Sequence, residues 1–278
     1  VGRAKMNLGL GLSNANASTP EQVLVPGFYV PERRFAPVKN VPHYRNLSPR
    51  LGVAYDVFGT GRTAIKASVG HYPDRVIQAS ANPAVNLTRT TTRNWTDTNR
   101  NFRPDCELLN PVANGECGAW SNLNFGKANA ETRYASDAQS GFNGSFHNWQ
   151  TAVSVQHQLR PGIGLNVGYF RTWYGGFLTT DNQSVGAANF DSFCITVPTD
   201  SRLPNSGQQL CGLKDVKPAS FGLVDNLVTQ ASHFGKPTQI YNGDDMTIHA
   251  RFGRGGLLSG GGSVGRTFTD NGYPNYVP

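Results

Sequence analysis

Residues 46–72, NLSPRLGVAYDVFGTGRTAIKASVGHY, constrain the fold more than any other stretch, because two runs of period two flank one short turn. In the first run Leu51, Val53, Tyr55 and Val57 share a face, opposite Gly52, Ala54, Asp56 and Phe58. After the turn Gly59-Thr60-Gly61-Arg62, Ile65, Ala67, Val69 and His71 alternate with Lys66, Ser68, Gly70 and Tyr72. Successive side chains of a strand point to opposite faces, so this is a β-hairpin with one apolar face and one small or polar face.

Two more hairpins repeat the pattern. In HNWQTAVSVQHQLRPGIGLNVGYFRTWYGGF, Trp149, Thr151, Val153, Val155 and Leu159 oppose Gln150, Ala152, Ser154, Gln156 and Gln158. Arg160-Pro161-Gly162 makes the turn, and Ile163, Leu165, Val167 and Tyr169 then alternate with Gly164, Asn166, Gly168 and Phe170. The third hairpin spans about 239–270, with Met246, Ile248, Ala250 and Phe252 on one face and a turn at Gly253-Arg254-Gly255-Gly256. Its glycine-heavy partner covers 257–267, and Asp244 and Asp245 are expected to interrupt its first strand. A single strand at 4–12, AKMNLGLGL, brings the tally to seven.

The connections are unequal. Residues 13–46 form a loop whose Val-Pro and Pro-Val contacts favour extended backbone, and 73–146 and 178–238 are longer still. A soluble β-sandwich places turn signals every 8 to 12 residues at both ends. Short turns at one end and long loops at the other suit a transmembrane barrel, whose strands need about nine to eleven residues to cross at a tilt. The fold class expected is therefore all-β: an antiparallel transmembrane β-barrel fragment of about seven strands, with short periplasmic turns and long extracellular loops.

Composition agrees. The 32 glycines and 17 prolines, with charged residues at only 15%, fit turn-rich β structure, and no sustained 3.6-residue repeat announces a helix. A mean hydropathy of -0.40 and the lack of an 18-residue apolar run exclude a transmembrane helix but not a transmembrane strand. The chain begins at Val1 with no leader and a strand pattern already running by Ala4, as expected of a piece of a longer polypeptide. The net charge of +7 comes mostly from scattered single Lys and Arg, with no basic helix and no stacked aromatics of the RNA-binding kind. Nucleic acid is not an expected partner, whereas an anionic membrane surface fits.

Four cysteines fall into two local pairs, Cys106 with Cys117 and Cys194 with Cys211, each in a polar, loop-like segment. Two disulfides in an oxidising compartment are expected, each stabilising its loop by roughly 3 kcal/mol in the chain-entropy model. A four-cysteine zinc site is the rival, but CxxC spacing is missing and no His adjoins either pair. Trp149, Tyr169, Trp173 and Tyr174 gather at the end away from the short turn and read as an interfacial aromatic girdle, with scattered core or loop aromatics as the plainer alternative.

No catalytic, cofactor or metal set emerges. GTGRTA at 59–64 resembles a dinucleotide fingerprint but is followed by a strand rather than a helix, and Gly235-Lys236-Pro237-Thr238 lacks the rest of a P-loop. The histidines at 43, 71, 147, 157, 233 and 249 form no HExxH, and no GxSxG elbow exists. Asp181-Asn182-Gln183 and Asp244-Asp245 could offer oxygens to calcium but read more simply as solvated carboxylates.

Several segments resemble the TonB-dependent outer-membrane receptors, specifically the large Oar-like kind that carries a carboxypeptidase regulatory domain and is common in Acidobacteria. They are FYVPERRFAPVKNVPHYRNLSPRLGVAYDVFGTGRTAIKASVGHY, FHNWQTAVSVQHQLRPGIGLNVGYFRTWYGGFLTTDN, LPNSGQQLCGLKDVKPASFG and YNGDDMTIHARFGRGGLLSGGGSVGRTFTD. The resemblance implies a barrel of about 22 strands around a plug, taking up bulky nutrients in the bacterial outer membrane with energy from TonB. Residues 1–278 would be a partial barrel domain, lacking plug, TonB box and barrel C-terminus. The partners implied are the TonB complex through the missing plug region, outer-membrane lipids and lipopolysaccharide, and an unknown extracellular ligand. On this reading Lys66, Gln150, Gln156 and Asn166 line the wall, and the chain is a transporter and no enzyme. The alternative is a secreted or surface-attached β-rich binding module, an adhesin or carbohydrate binder. A second packed sheet over the Trp149, Val153 and Val155 face would favour the module, and an exposed apolar belt would favour the barrel.

Overall fold

The computed structural model describes residues 2–27, 30–74, 90–128, 132–253 and 255–272. Seven long strands dominate it: β1 (Ala4–Asn16), β2 (His43–Asp56), β3 (Thr63–Pro73), β4 (His147–Arg160), β5 (Ile163–Gly175), β6 (Thr238–Phe252) and β7 (Gly256–Asp270). They pair antiparallel in chain order as an up-and-down meander. Among the described residues β1 and β7 each pair on one side only, and no helix is long and apolar enough to cross a membrane.

The alternation in the sequence sets the register, because a slip of one residue would turn every side chain through the sheet. Met6 pairs with Val53, Val53 with Ala67, Ala67 with Val153 and Val153 with Tyr169. One face thereby collects Leu, Val, Ile and Met from β1 to β7, and it is bare: Leu8, Leu10 and Val264 are 79%, 74% and 71% exposed. A contiguous apolar surface of this extent marks contact with something other than water. The buried apolar residues of the described chain, Phe35, Tyr44, Cys117, Ala138 and Ala231, all lie at or beyond the long-loop end. Among the described residues no second layer covers the sheet, and the core sits in the loops.

The strands are tilted. One hydrogen-bonded row runs through Asp56, Ala64, Gln156, Asn166, Thr247 and Gly261. It meets the first short turn at Asp56, yet at the third hairpin the strand runs on from Thr247 to Phe252 before turning. At about 3.4 Å rise and about 4.8 Å between strands, that drift corresponds to a tilt of about 40°, within the range of closed barrels.

Several expectations are corrected. β1 continues to Asn16, and β2 begins at His43 and stops at Asp56, so Val57 and Phe58 belong to the turn. The cause is Asp56, whose carboxylate accepts the Gly59 and Gly61 N–H groups at 3.0 and 2.7 Å. Those glycines have φ of 72° and 74°, conformations costly for residues with a Cβ. Asp244 and Asp245 do not interrupt β6: they pair with Val264 and Ser263 on one side and with Tyr169 and Gly168 on the other. Ladder bonds are made by the backbone, and the two carboxylates leave by opposite faces.

The long connections are not structureless either. Residues 17–42 carry a small hairpin, Gln22–Leu24 with Arg33–Phe35. The second and third contribute a three-stranded sheet of Leu178–Asn182, Asn226–Gln230 and Thr132–Tyr134, and Ser140–Phe142 adds to β2 in parallel. Cys194 and Cys211 sit on a hairpin, Phe190–Thr196 with Gln209–Val216, and not in open loop. Phe28 and Tyr29, residues 75–89 and Arg254 of the third turn lie outside the described residues.

Candidate functional site

The face opposite the apolar belt is built from small and polar residues, and it brings together the four expected wall residues. Lys66 lies in the row Ala54, Lys66, Ser154, Gly168; Gln156 and Asn166 are direct partners one row nearer the turns; Gln150 lies four residues nearer the loops than Ser154. Toward the loops from Lys66, at the level of Gln150, runs an open groove of about 540 Å³, lined among others by Arg50, Ser68, Gly70, Tyr72, Gln150 and Phe170.

Its relief comes from aromatics lying flat on glycines. A Cβ on Gly70 would stand 2.8 Å from the Tyr72 ring, and one on Gly168 would stand 3.1 Å from Phe170. Tyr241 likewise covers Gly243 on its own strand and Gly265 on the next, so any side chain there would displace the ring. Arg50 lies over the Tyr72 ring at 4.8 Å, a cation–π contact that fixes a positive charge on this wall. Alternation places Tyr72 and Phe170 on the small face without giving them a role, and it singles out neither Arg50 nor Tyr241. The available signal was a glycine two residues from an aromatic on the small face.

Trp149 and Trp173 are cross-strand partners on the apolar face, with parallel rings 6.2 Å apart. His71 extends the group, 4.8 Å from both Trp149 and His147. Tyr169 shares that face but sits four residues nearer the short turn, opposite Val153. Tyr174 is on the other face, stacked on Phe146 at 5.8 Å. The four aromatics expected at one level thus divide into a Trp pair, a lower Tyr and an inward Tyr, because Tyr174 differs in parity from the rest.

At the long-loop end, the connections 74–146 and 176–237 fold onto each other. Arg133 grips Asp225 with both carboxylate oxygens, at 2.9 and 2.8 Å. Asp137 accepts from Thr229 at 3.3 Å and lies 2.7 Å from His233 Nε2. Leu123 N–H donates to Gly222 O, and Ala135 N–H to Val228 O. The cap is tied down to β2 by Tyr44, whose hydroxyl donates to Ala138 O, and by Asn143, whose side chain accepts the Leu47 N–H at 2.8 Å.

Both expected disulfides, Cys106–Cys117 and Cys194–Cys211, are formed. The first closes a module at 90–128 that two charged side chains organise. The Arg93 guanidinium donates to the carbonyls of Gly118, Glu107, Asn110 and Val112. The Glu116 carboxylate accepts from Thr98 N–H and hydroxyl, Asp105 N–H and the Trp95 indole. Those donors, the Thr98 hydroxyl first, favour the charged form and hold its carboxyl at about 2, below its ordinary 4.5. Among the described residues no group of three or more His, Cys, Asp or Glu is placed to hold a metal ion.

A tilted meander with a bare apolar face, a small-residue reverse face, short turns at one end and a folded cap at the other is barrel wall of the membrane-spanning kind. Residues 5–245 match the family model described as outer membrane beta barrel domain, and the chain belongs to that family. No curated protein and no solved structure matches it. The protein is thus located in the bacterial outer membrane, with its apolar belt toward lipid. The short turns face the periplasm and the cap faces outside, as in other barrels of this kind.

Proposed function

We propose that the chain forms part of the barrel of a TonB-dependent transporter that takes up a bulky nutrient, and that it is not an enzyme. The observation that carries the reading is the cap. Two connections, each far longer than a hairpin needs, are laced by Arg133–Asp225 and braced by two disulfides at the long-loop end of the wall. A rigid vestibule suits capture of a large solute, since ordering loops in advance lowers the cost of binding. Together with the resemblance to Oar-like receptors, this supports a gated carrier over an open pore. The inner wall, with Lys66, Arg50 and Gln150, would then face a plug, and the TonB complex would act through that plug.

The test is uptake by cells making the protein that carries this chain, with and without a functional TonB complex, using labelled oligosaccharide, peptide and metal-chelate pools. Uptake of at least one pool is expected to need both. Entry of solutes that depends on the protein but is indifferent to TonB would refute the reading.

A further inference from the structure

The lipid-facing side carries one row that does not belong to an apolar belt. Thr151, Arg171, Asn242 and Arg266 are consecutive cross-strand partners on β4 to β7. The row below holds Val153, Tyr169, Asp244 and Val264, and the row above Trp149, Trp173, Ile240 and Phe268. Both arginines are exposed. Arg171 is aimed by Asn242, whose Oδ1 accepts its Nη1 at 3.3 Å and the Tyr169 hydroxyl at 2.8 Å. Asp244 is the acidic group of the patch, and neither arginine forms an ion pair with it.

Height decides what this row meets. At the tilt derived above each residue climbs about 2.6 Å, which puts Arg171, Asn242 and Arg266 about 20 to 26 Å above the periplasmic turns. An outer-membrane belt is about 25 Å tall, so the row lies at its outer rim, level with or just under the Trp149–Trp173 pair. Arg on a lipid face is costly at the midplane and nearly free at the interface, where long side chains reach the head groups. Two guanidiniums two strands apart, about 10 Å, present forked donors to phosphate oxygens.

We propose that Arg171 and Arg266, with Asn242 between them, bind the phosphate groups of lipopolysaccharide in the outer leaflet. The site is on the outside of the wall and stands apart from any transport through the inside. The test uses the detergent-purified protein and measures retained lipopolysaccharide of the inner-core, lipid A type, beside the same lipid stripped of phosphate and beside inorganic phosphate. The Arg171→Gln/Arg266→Gln double variant is expected to lower retention at least tenfold, while Arg171→Lys/Arg266→Lys keeps most of it and Asp244→Asn raises it. Heat-modifiable electrophoretic mobility confirms that each variant is folded. Equal retention by the Gln double variant, equal binding of the dephosphorylated lipid, or displacement by inorganic phosphate at concentrations comparable to the lipid would each overturn the assignment. So would a dimer that the Gln variant abolishes while lipid retention is unchanged, since the row would then be a contact between protein copies.

Discussion

Replacing Val155 by Arg places a charge near the middle of the belt. Val155 is 41% exposed on the apolar face, between Ile65 and Val167. It lies five residues above the end of β4 at Arg160, which at the derived tilt is about 13 Å above the turns and close to half the height of a belt of about 25 Å. A lipid-facing Arg at the midplane costs about 2–4 kcal/mol, roughly a 30- to 700-fold shift in the folding equilibrium. Gln156 is the next residue along the same strand but faces the inner wall opposite Asn166, so Gln156→Arg should cost well under about 1 kcal/mol. Tyr55→Arg, one residue from its turn, should cost about 1 kcal/mol from the charge, because the penalty fades at the interface. The assay is guanidinium unfolding of the protein from phospholipid vesicles, followed by tryptophan fluorescence and heat-modifiable mobility. If Gln156→Arg is as damaging as Val155→Arg, the two faces have been assigned the wrong way round. If Tyr55→Arg is the worst of the three, the depth scale derived from the row drift is wrong.

Two further outcomes concern the cap. Cys106→Ser with Cys117→Ser should remove about 3 kcal/mol of loop stabilisation, seen as faster proteolysis within 90–128 while the strands keep their heat-resistant mobility; loss of the strands as well would mean the module supports the barrel. Glu116 has its carboxyl held at about 2, below the ordinary 4.5, so its contribution is complete above about pH 4.5 and is lost as pH falls toward 2. Amide-exchange protection of residues 94–118 should fall across that window, and Glu116→Gln should be weaker at neutral pH and lack the fall; an identical acid profile in the variant would refute the role given to Glu116.

The wall was legible because its determinants are local. Alternation such as Leu51, Val53 and Tyr55 against Gly52 and Ala54 fixes face and register without help from distant residues, and the same parity places Lys66, Gln150, Gln156 and Asn166 together. Where reading failed, a nonlocal or single-atom event decided. The turn at Asp56 depends on one carboxylate reaching two glycine N–H groups. The cap depends on partners such as Arg133 and Asp225, far apart in sequence and without a periodic signal. Asp244 and Asp245 looked like breakers because side-chain polarity was weighed, although the ladder they occupy is made by backbone. Of the four girdle aromatics, Trp149 and Trp173 pair at one level, whereas Tyr174 follows Trp173 and so points the other way, and Tyr169 lies four residues lower.

The interlaced cap also bears on how the protein assembles. Arg133 and Asp225 flank, in sequence, the whole β4–β5 hairpin, so their contact closes a loop that contains two finished strands. Closing that loop costs less once β4 and β5 have paired and shortened it, so the contact is expected to form after that hairpin. Protection of the cap from an external protease is therefore expected to appear after the β4–β5 hairpin has formed.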